Sequence, residues 1–173
     1  MRGVLFMLLL LLAAGCVKHD EAIVFKPISS FSGRLLVMSQ AHRFQMEVDW
    51  QGDRQQGGMR LTHAATGRIV DVSWLDGTML WRDNREEPVW RALSQAQLLD
   101  MGMLLPPWAL ARILSGDYPE AMQTKGQRTW QGLWSEDVRL KIRWSQTWDR
   151  LEITDMRYGK RLVVVFAAVN HES

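Results

Sequence analysis

From Arg43 to Trp50 the chain alternates without a break. Phe44, Met46, Val48 and Trp50 are apolar, and Arg43, Gln45, Glu47 and Asp49 between them are polar. A period of two puts the apolar set on one side of an extended strand and the polar set on the other, so the segment is a half-buried antiparallel strand. The same pattern recurs along the chain. Arg68–Trp74 carries Val70, Val72 and Trp74 in phase, and Val138–Trp144 carries Val138, Leu140, Ile142 and Trp144 opposite Arg139, Lys141 and Arg143. A chain with this repeated two-residue period must build a large sheet with one apolar face.

The remaining β segments complete the sheet. Arg34–Ser39 is an apolar-rich strand that follows Gly33, and Met59–Thr62 is another, carrying Met59 and Leu61. Between them Gly52–Gly58 reads as a Gly- and Gln-rich turn region, and His63–Gly67 as a loop. Asp76-Gly77 is a hairpin signal, and Thr78–Arg82 continues a meander that Asp83–Pro88 interrupts. In this last strand Leu80 is read as the residue on the apolar face. Arg128–Trp134, Arg150–Tyr158 and Arg161–Val169 are the later strands, the last apolar enough to be buried on both sides.

Two short helices separate the strand groups. Ser94 is a candidate N-cap for Ser94–Met101, and Pro107 suits the first turn of a second helix over Trp108–Leu114, ending near Gly116. Helices this short do not hold alone, so they cover the sheet. The implied fold class is α+β: an incomplete antiparallel β-barrel, a strongly curved sheet, covered by short helices.

The chain begins with a different kind of signal. Arg2 precedes an apolar run, Val4–Leu12, which is too short to span a bilayer, since a span needs roughly 20 residues. Ala13-Ala14-Gly15 then lead into Cys16, the single cysteine. This stretch resembles a bacterial lipobox, which implies cleavage after Gly15 and acylation of Cys16. Residues 1–15 are then a signal peptide, 16–30 an acylated tether, 31–169 the domain and 170–173 a tail. Two or more acyl chains give a stable membrane anchor. Val17, rather than Asp, after the cysteine favours the outer membrane over retention in the inner one, with the domain facing the periplasm. One cysteine excludes a disulfide framework and a thiolate metal site. A formal charge of +2 without a basic cluster gives no footprint for nucleic acid.

No catalytic constellation emerges. Ser29-Ser30-Phe31-Ser32-Gly33 is not a nucleophile elbow. His19, His42, His63 and His171 share no metal-ligand spacing. The expectation is a protein that is not an enzyme and needs no cofactor or metal. The 9 Trp and 10 Met suit either an irregular core or a wall for greasy, variable ligands. The candidate lining residues are the in-phase Phe44, Met46, Val48 and Trp50, then Met59 and Leu61, then Val70, Val72 and Trp74, then Leu80, and finally Val138, Leu140, Ile142 and Trp144. Alternation does not tell a lined cavity from a filled core, and both readings stand. Trp108 and Leu110 on the second helix are candidates for a lid over that face, or for a plain structural cap.

The order of these features resembles the LolA/LolB lipoprotein-carrier family. The matching features are the Gly33-Arg34-Leu35 opening, the strand ending in Trp50, Arg60-Leu61-Thr62, and Leu75-Asp76-Gly77. The Leu105-Pro106-Pro107 helix pair and the closing Arg161-Leu162-Val163-Val164 strand complete the match. The resemblance implies an apolar site for the acyl chains of lipoproteins. It also implies a soluble periplasmic lipoprotein carrier as partner, and delivery of cargo into the outer membrane by a monomer. The lipobox favours the anchored receptor type within the family. Receptors of that type carry a protruding apolar residue between their third and fourth strands, and His63–Gly67 has none. The alternatives are therefore a carrier of another lipid or glycolipid, or a structural envelope-assembly lipoprotein without ligand.

Overall fold

The computed structural model describes residues 25–39, 43–86, 89–101 and 103–171. Cys16, the signal segment and the tether as far as residue 24 lie outside the described residues, as does His42.

Eleven strands form one antiparallel sheet. They are β1 (Ile28–Met38), β2 (Arg43–Gly52), β3 (Gln56–His63), β4 (Arg68–Leu75), β5 (Thr78–Asp83), β6 (Arg91–Ala92), β7 (Met122–Thr124), β8 (Thr129–Ser135), β9 (Val138–Trp144), β10 (Arg150–Asp155) and β11 (Arg161–His171). Their order across the sheet is β6-β5-β4-β3-β2-β1-β11-β10-β9-β8-β7. Two meanders therefore meet where β1 pairs with β11, and the terminal strands β6 and β7 do not pair, so the sheet is open. Two helices, α1 (Gln95–Asp100) and α2 (Pro107–Leu114), connect the two outer edges. Residues of both wings and of both helices belong to one core cluster, as a curved sheet requires.

The local chemistry accounts for these elements. Ser94 caps α1 through a capping box: its hydroxyl accepts from the Gln97 amide at 3.2 Å, and the Gln97 side chain accepts from the Ser94 amide at 2.9 Å. Pro107 opens α2, where its missing N–H costs nothing. Gly57 lies against the Trp74 ring, and a Cβ there would come within 2.2 Å of it. Asp76 and Gly77, both at positive φ, form the two-residue turn that joins Leu75 to Thr78.

Several boundaries differ from the sequence expectation. The first strand starts at Ile28, inside the expected tether, and Phe25 already packs on Trp144 and Trp148. The expected tail contributes Asn170 and His171 to β11, where Asn170 bonds Ser30 at 2.9 Å. Most of the expected Gly52–Gly58 turn is strand, because small residues let β2 and β3 pair to Gly52↔Gly57. The strand expected over Arg150–Tyr158 ends at Asp155, whose carboxylate accepts from the Arg157 and Tyr158 amides and turns the chain. The strand β11 is not covered on both sides throughout: Val163 is buried, but Val165 is 37% exposed on the outer face.

Candidate functional site

The register brings the apolar residues of nine strands onto one inner face. One row runs Trp81–Val72–Met59–Trp50–Phe31 from β5 to β1. Another runs Phe44–Val37–Leu162–Ile153–Ile142–Trp130 from β2 to β8. Directly opposed residues on adjacent strands share a face and touch, so each row is a continuous apolar stripe across the sheet. An unbroken series of aromatic contacts follows the stripe: Trp74–Trp50, Trp50–Phe31, Phe31–Phe166 and Phe166–Trp144, with ring centroids 4.6 to 6.1 Å apart.

Each expected lining residue can now be placed. Val48, Trp50, Met59, Leu61, Val70, Val72, Trp74, Leu140, Ile142 and Trp144 are buried in the core cluster. Phe44, Met46 and Val138 are half-buried against it. Leu80 is the exception: it is 40% exposed and faces outward, and Met79, 4% exposed, takes the inner position. The turn explains the reversal. A two-residue loop at Asp76-Gly77 pairs Leu75 with Thr78, which pairs Trp74 with Met79 and Val72 with Trp81. Thr78–Trp81 contains apolar residues in both phases, so composition misleads here. The turn signal, already present in the sequence, carries the correct phase.

That phase also places Asp83 on the inner face, opposite Val70. Among the described residues it is the buried charged side chain, at 5% exposure. Burial by itself would raise its pKa. The Arg85 amide and the Arg68 guanidinium, at 3.0 and 2.7 Å, outweigh burial and hold the carboxyl below its ordinary value. Asp83 thus acts as a structural anchor for the β5 end.

Helix α2 closes the inner face. Leu110, Ile113 and Leu114 are at most 2% exposed, and Leu98 of α1 is fully buried beside them. Of the two expected lid residues, Leu110 points into the core and Trp108 is half-buried at its margin. Side chains with so little free surface border no water-sized void, so Leu61, Leu140 and Ile142 line packed apolar contacts rather than open space. No side chain caps the helix start at Pro106. Its end is pinned: Arg112 bonds Asp117 at 3.0 Å and stacks over Trp134 of β8, while Arg54 from the β2–β3 turn reaches the same carboxylate at 2.6 Å. These contacts, led by Arg112, hold the Asp117 carboxyl below its ordinary value. The clasp joins α2 to both wings.

No protein-family model and no curated protein matches the chain.

Two hollows lie outside the part of the inner face that α2 covers. One, of about 380 Å³, lies where the chain enters the domain and is lined by Phe25, Ile28, Trp148, Phe166 and Val169, with Lys26 and His171 at its edge. The other is an open groove on the opposite side of the sheet. His63 belongs to the β3–β4 turn, with Nδ1 3.1 Å from the Thr66 hydroxyl, and Ala64 and Ala65 at its tip are exposed. The basic residues Arg139, Lys141 and Arg143 are exposed on the outer face, and Arg143 pairs with Glu152 at 2.9 Å. No helix among the described residues is long and apolar enough to cross a membrane.

Proposed function

We propose that this chain is a lipid-anchored, acyl-chain-binding protein of the LolA/LolB type, working at the outer membrane and facing the periplasm. It receives lipoproteins from a soluble carrier and assists their insertion. The observation that carries this reading is the continuous apolar inner face of an open sheet, covered by one short helix that is uncapped at one end and clasped at the other. The LolA/LolB-like fold belongs to the same proposal.

Beneath α2 the inner face is packed, so binding there requires α2 to move. Exposing the buried leucines at the Pro106 end, Leu104, Leu105 and Leu110, costs about 5–9 kcal/mol at ~1.5–3 kcal/mol per side chain. An acyl chain taking their place recovers ~0.8 kcal/mol per methylene, so about 6 to 11 buried methylenes offset the opening. An ordinary acyl chain exceeds that length. The exchange is then nearly balanced, which a transfer protein needs in order to both take up cargo and release it. The uncapped Pro106 end is the end that would lift, with the Arg112–Asp117–Arg54 clasp as the hinge.

A covalent crosslink between α2 and β1, which lie in contact, is expected to abolish binding of a fluorescent fatty acid, and its reduction to restore binding. Binding that persists in the crosslinked protein would sink the lid mechanism. Lipoprotein sorting that continues normally after depletion of the protein would remove the receptor role. The blunt β3–β4 turn favours a second reading, in which the same fold carries another lipid or glycolipid. Mass spectrometry of co-purifying lipid separates the two. A structural assembly lipoprotein would also have a closed interior, and the absence of any acyl binding in the uncrosslinked protein would favour it.

A further inference from the structure

The outer face of the sheet is not uniformly convex and solvated. Between β1 and β5 it holds an open groove of about 1150 Å³. Register explains its shape. One row across the strands is Ser30–Gln51–Gly58–Ser73, and the next is Ser32–Asp49–Arg60–Asp71–Arg82. Ser30, Gly58 and Ser73 of the first row are short or absent in side chain, so the row forms a floor roughly 14 Å long at ~4.8 Å per strand, from which Gln51 alone rises. The second row forms a wall of alternating charge. At the end of the groove stands Trp90, 40% exposed, with the Arg82 guanidinium 4.8 Å from its ring centroid.

The chemistry narrows the ligand. Arg60 and Arg82, the basic side chains among the described residues lining the groove, are both committed to Asp71, at 2.7 and 2.9 Å, and neither is left free for a phosphate or a sulfate. Among the described residues the Ser32 hydroxyl, the Asp49 carboxylate and the Gln51 amide make no side-chain hydrogen bond. These are acceptors and donors facing the groove. An acyl chain laid over them would leave them desolvated and unpaired, at a cost in binding. The strands beneath are paired on both sides, so an extended peptide finds no free backbone edge. What fits is a ligand rich in hydroxyls, with a flat apolar ring face for Trp90. The Asp49 carboxylate, which faces Arg60 but makes no hydrogen bond to it, disfavours an acidic one.

We propose that this groove is a binding site for a neutral oligosaccharide. Hydroxyls of the sugar bond Ser32, Asp49 and Gln51, the Gly58 gap admits a ring close to the sheet, and Trp90 stacks on one ring face. The site lies on the opposite side of the sheet from the acyl-binding face and stands or falls independently of it.

Gly58 supplies a clean test. It sits in regular strand, and a Cβ there meets no atom closer than the Val72 carbonyl oxygen at 3.9 Å. Gly58→Gln therefore fills the groove without disturbing the core, and its melting temperature is expected to equal or exceed that of the native chain. The full-length protein is applied to an array of neutral oligosaccharides, and the glycan retained best is titrated by calorimetry. The expected result is saturable binding that weakens more than tenfold in Gly58→Gln and in Trp90→Ala, with fatty-acid binding unchanged in both. Two results would overturn the proposal: no glycan retained by the native chain above the Gly58→Gln background, or equal affinity in Gly58→Gln and the native protein.

Discussion

The reversal at β5 makes a sharp prediction about stability. Met79 and Leu80 are adjacent, similar in size and both apolar, yet the structure puts Met79 in the core at 4% exposure and Leu80 outside at 40%. Replacing each with Thr keeps a good strand former and isolates the effect of facing. At Met79 the change removes a packed side chain, which costs about 2–5 kcal/mol by analogy with other large-to-small core substitutions. It also buries a hydroxyl with no apolar-side partner, adding about 1–3 kcal/mol. At Leu80 the loss is confined to a partly covered side chain beside Ser73 and Ala92, about 1 kcal/mol, with no cavity left behind. In a chain of this size each kcal/mol moves the melting temperature by about 2–4 °C. Met79→Thr should therefore melt at least about 4 °C below Leu80→Thr, measured by circular dichroism on both variants at one pH and salt. Equal losses, or a larger loss for Leu80→Thr, would refute the register that Asp76-Gly77 imposes on β5 and the placement of Asp83 that depends on it.

Three further outcomes follow from named contacts. Asp83 is held low by Arg85 and Arg68 against the opposing effect of burial, and Asp71 is held low first by Arg60 and then by Arg82. Both carboxyls bind protons at lower pH in the folded chain than in the unfolded one, so stability falls as pH drops from the ordinary carboxylate range through their folded values. Urea midpoints taken from roughly pH 6 to 3 should decline, and Asp83→Asn should show a shallower decline. Tyr118 is pushed up from 10.0 to about 12 by burial, opposed weakly by the Trp144 N–H that it accepts at 3.1 Å. Its contribution is present below about 10 and is lost as pH rises to about 12, so ultraviolet titration should show Tyr118 ionising only as the fold is lost, and Tyr118→Phe should remove that step. Ser94→Ala removes the acceptor in the α1 capping box and should cost about 1 kcal/mol, read as a lower melting temperature and faster amide exchange at Leu98; unchanged exchange would mean that the cap is idle.

Much of the sheet is legible from residues alone. The strand Val138–Trp144 has the expected bounds, and the inner set of β2 is Phe44, Met46, Val48 and Trp50 as their spacing requires. Alternation is local, and a strand with one buried face writes that face into every second residue. The Ser94 and Pro107 signals likewise mark the helix starts, because capping chemistry acts within one turn. Where apolar residues fill both phases, as over Thr78–Trp81, the pattern is silent and the neighbouring turn decides. The two small edge strands, Arg91–Ala92 and Met122–Thr124, carry too few residues for any period to show.

The amino-acid sequence by itself thus determined the nine longer strands, the faces of most of them and the two helix starts. Tertiary structure alone decided which strands are neighbours, since the pairing of β1 with β11 joins residues more than a hundred positions apart and no local pattern encodes it. It alone showed that α2 packs against the inner face. Burial against water looks the same in sequence whether the covering atoms are helix side chains or a ligand, because the hydrophobic effect has no direction. The outer groove was equally hidden, because Gln51, Gly58 and Ser73 line one groove only when three neighbouring strands set them side by side.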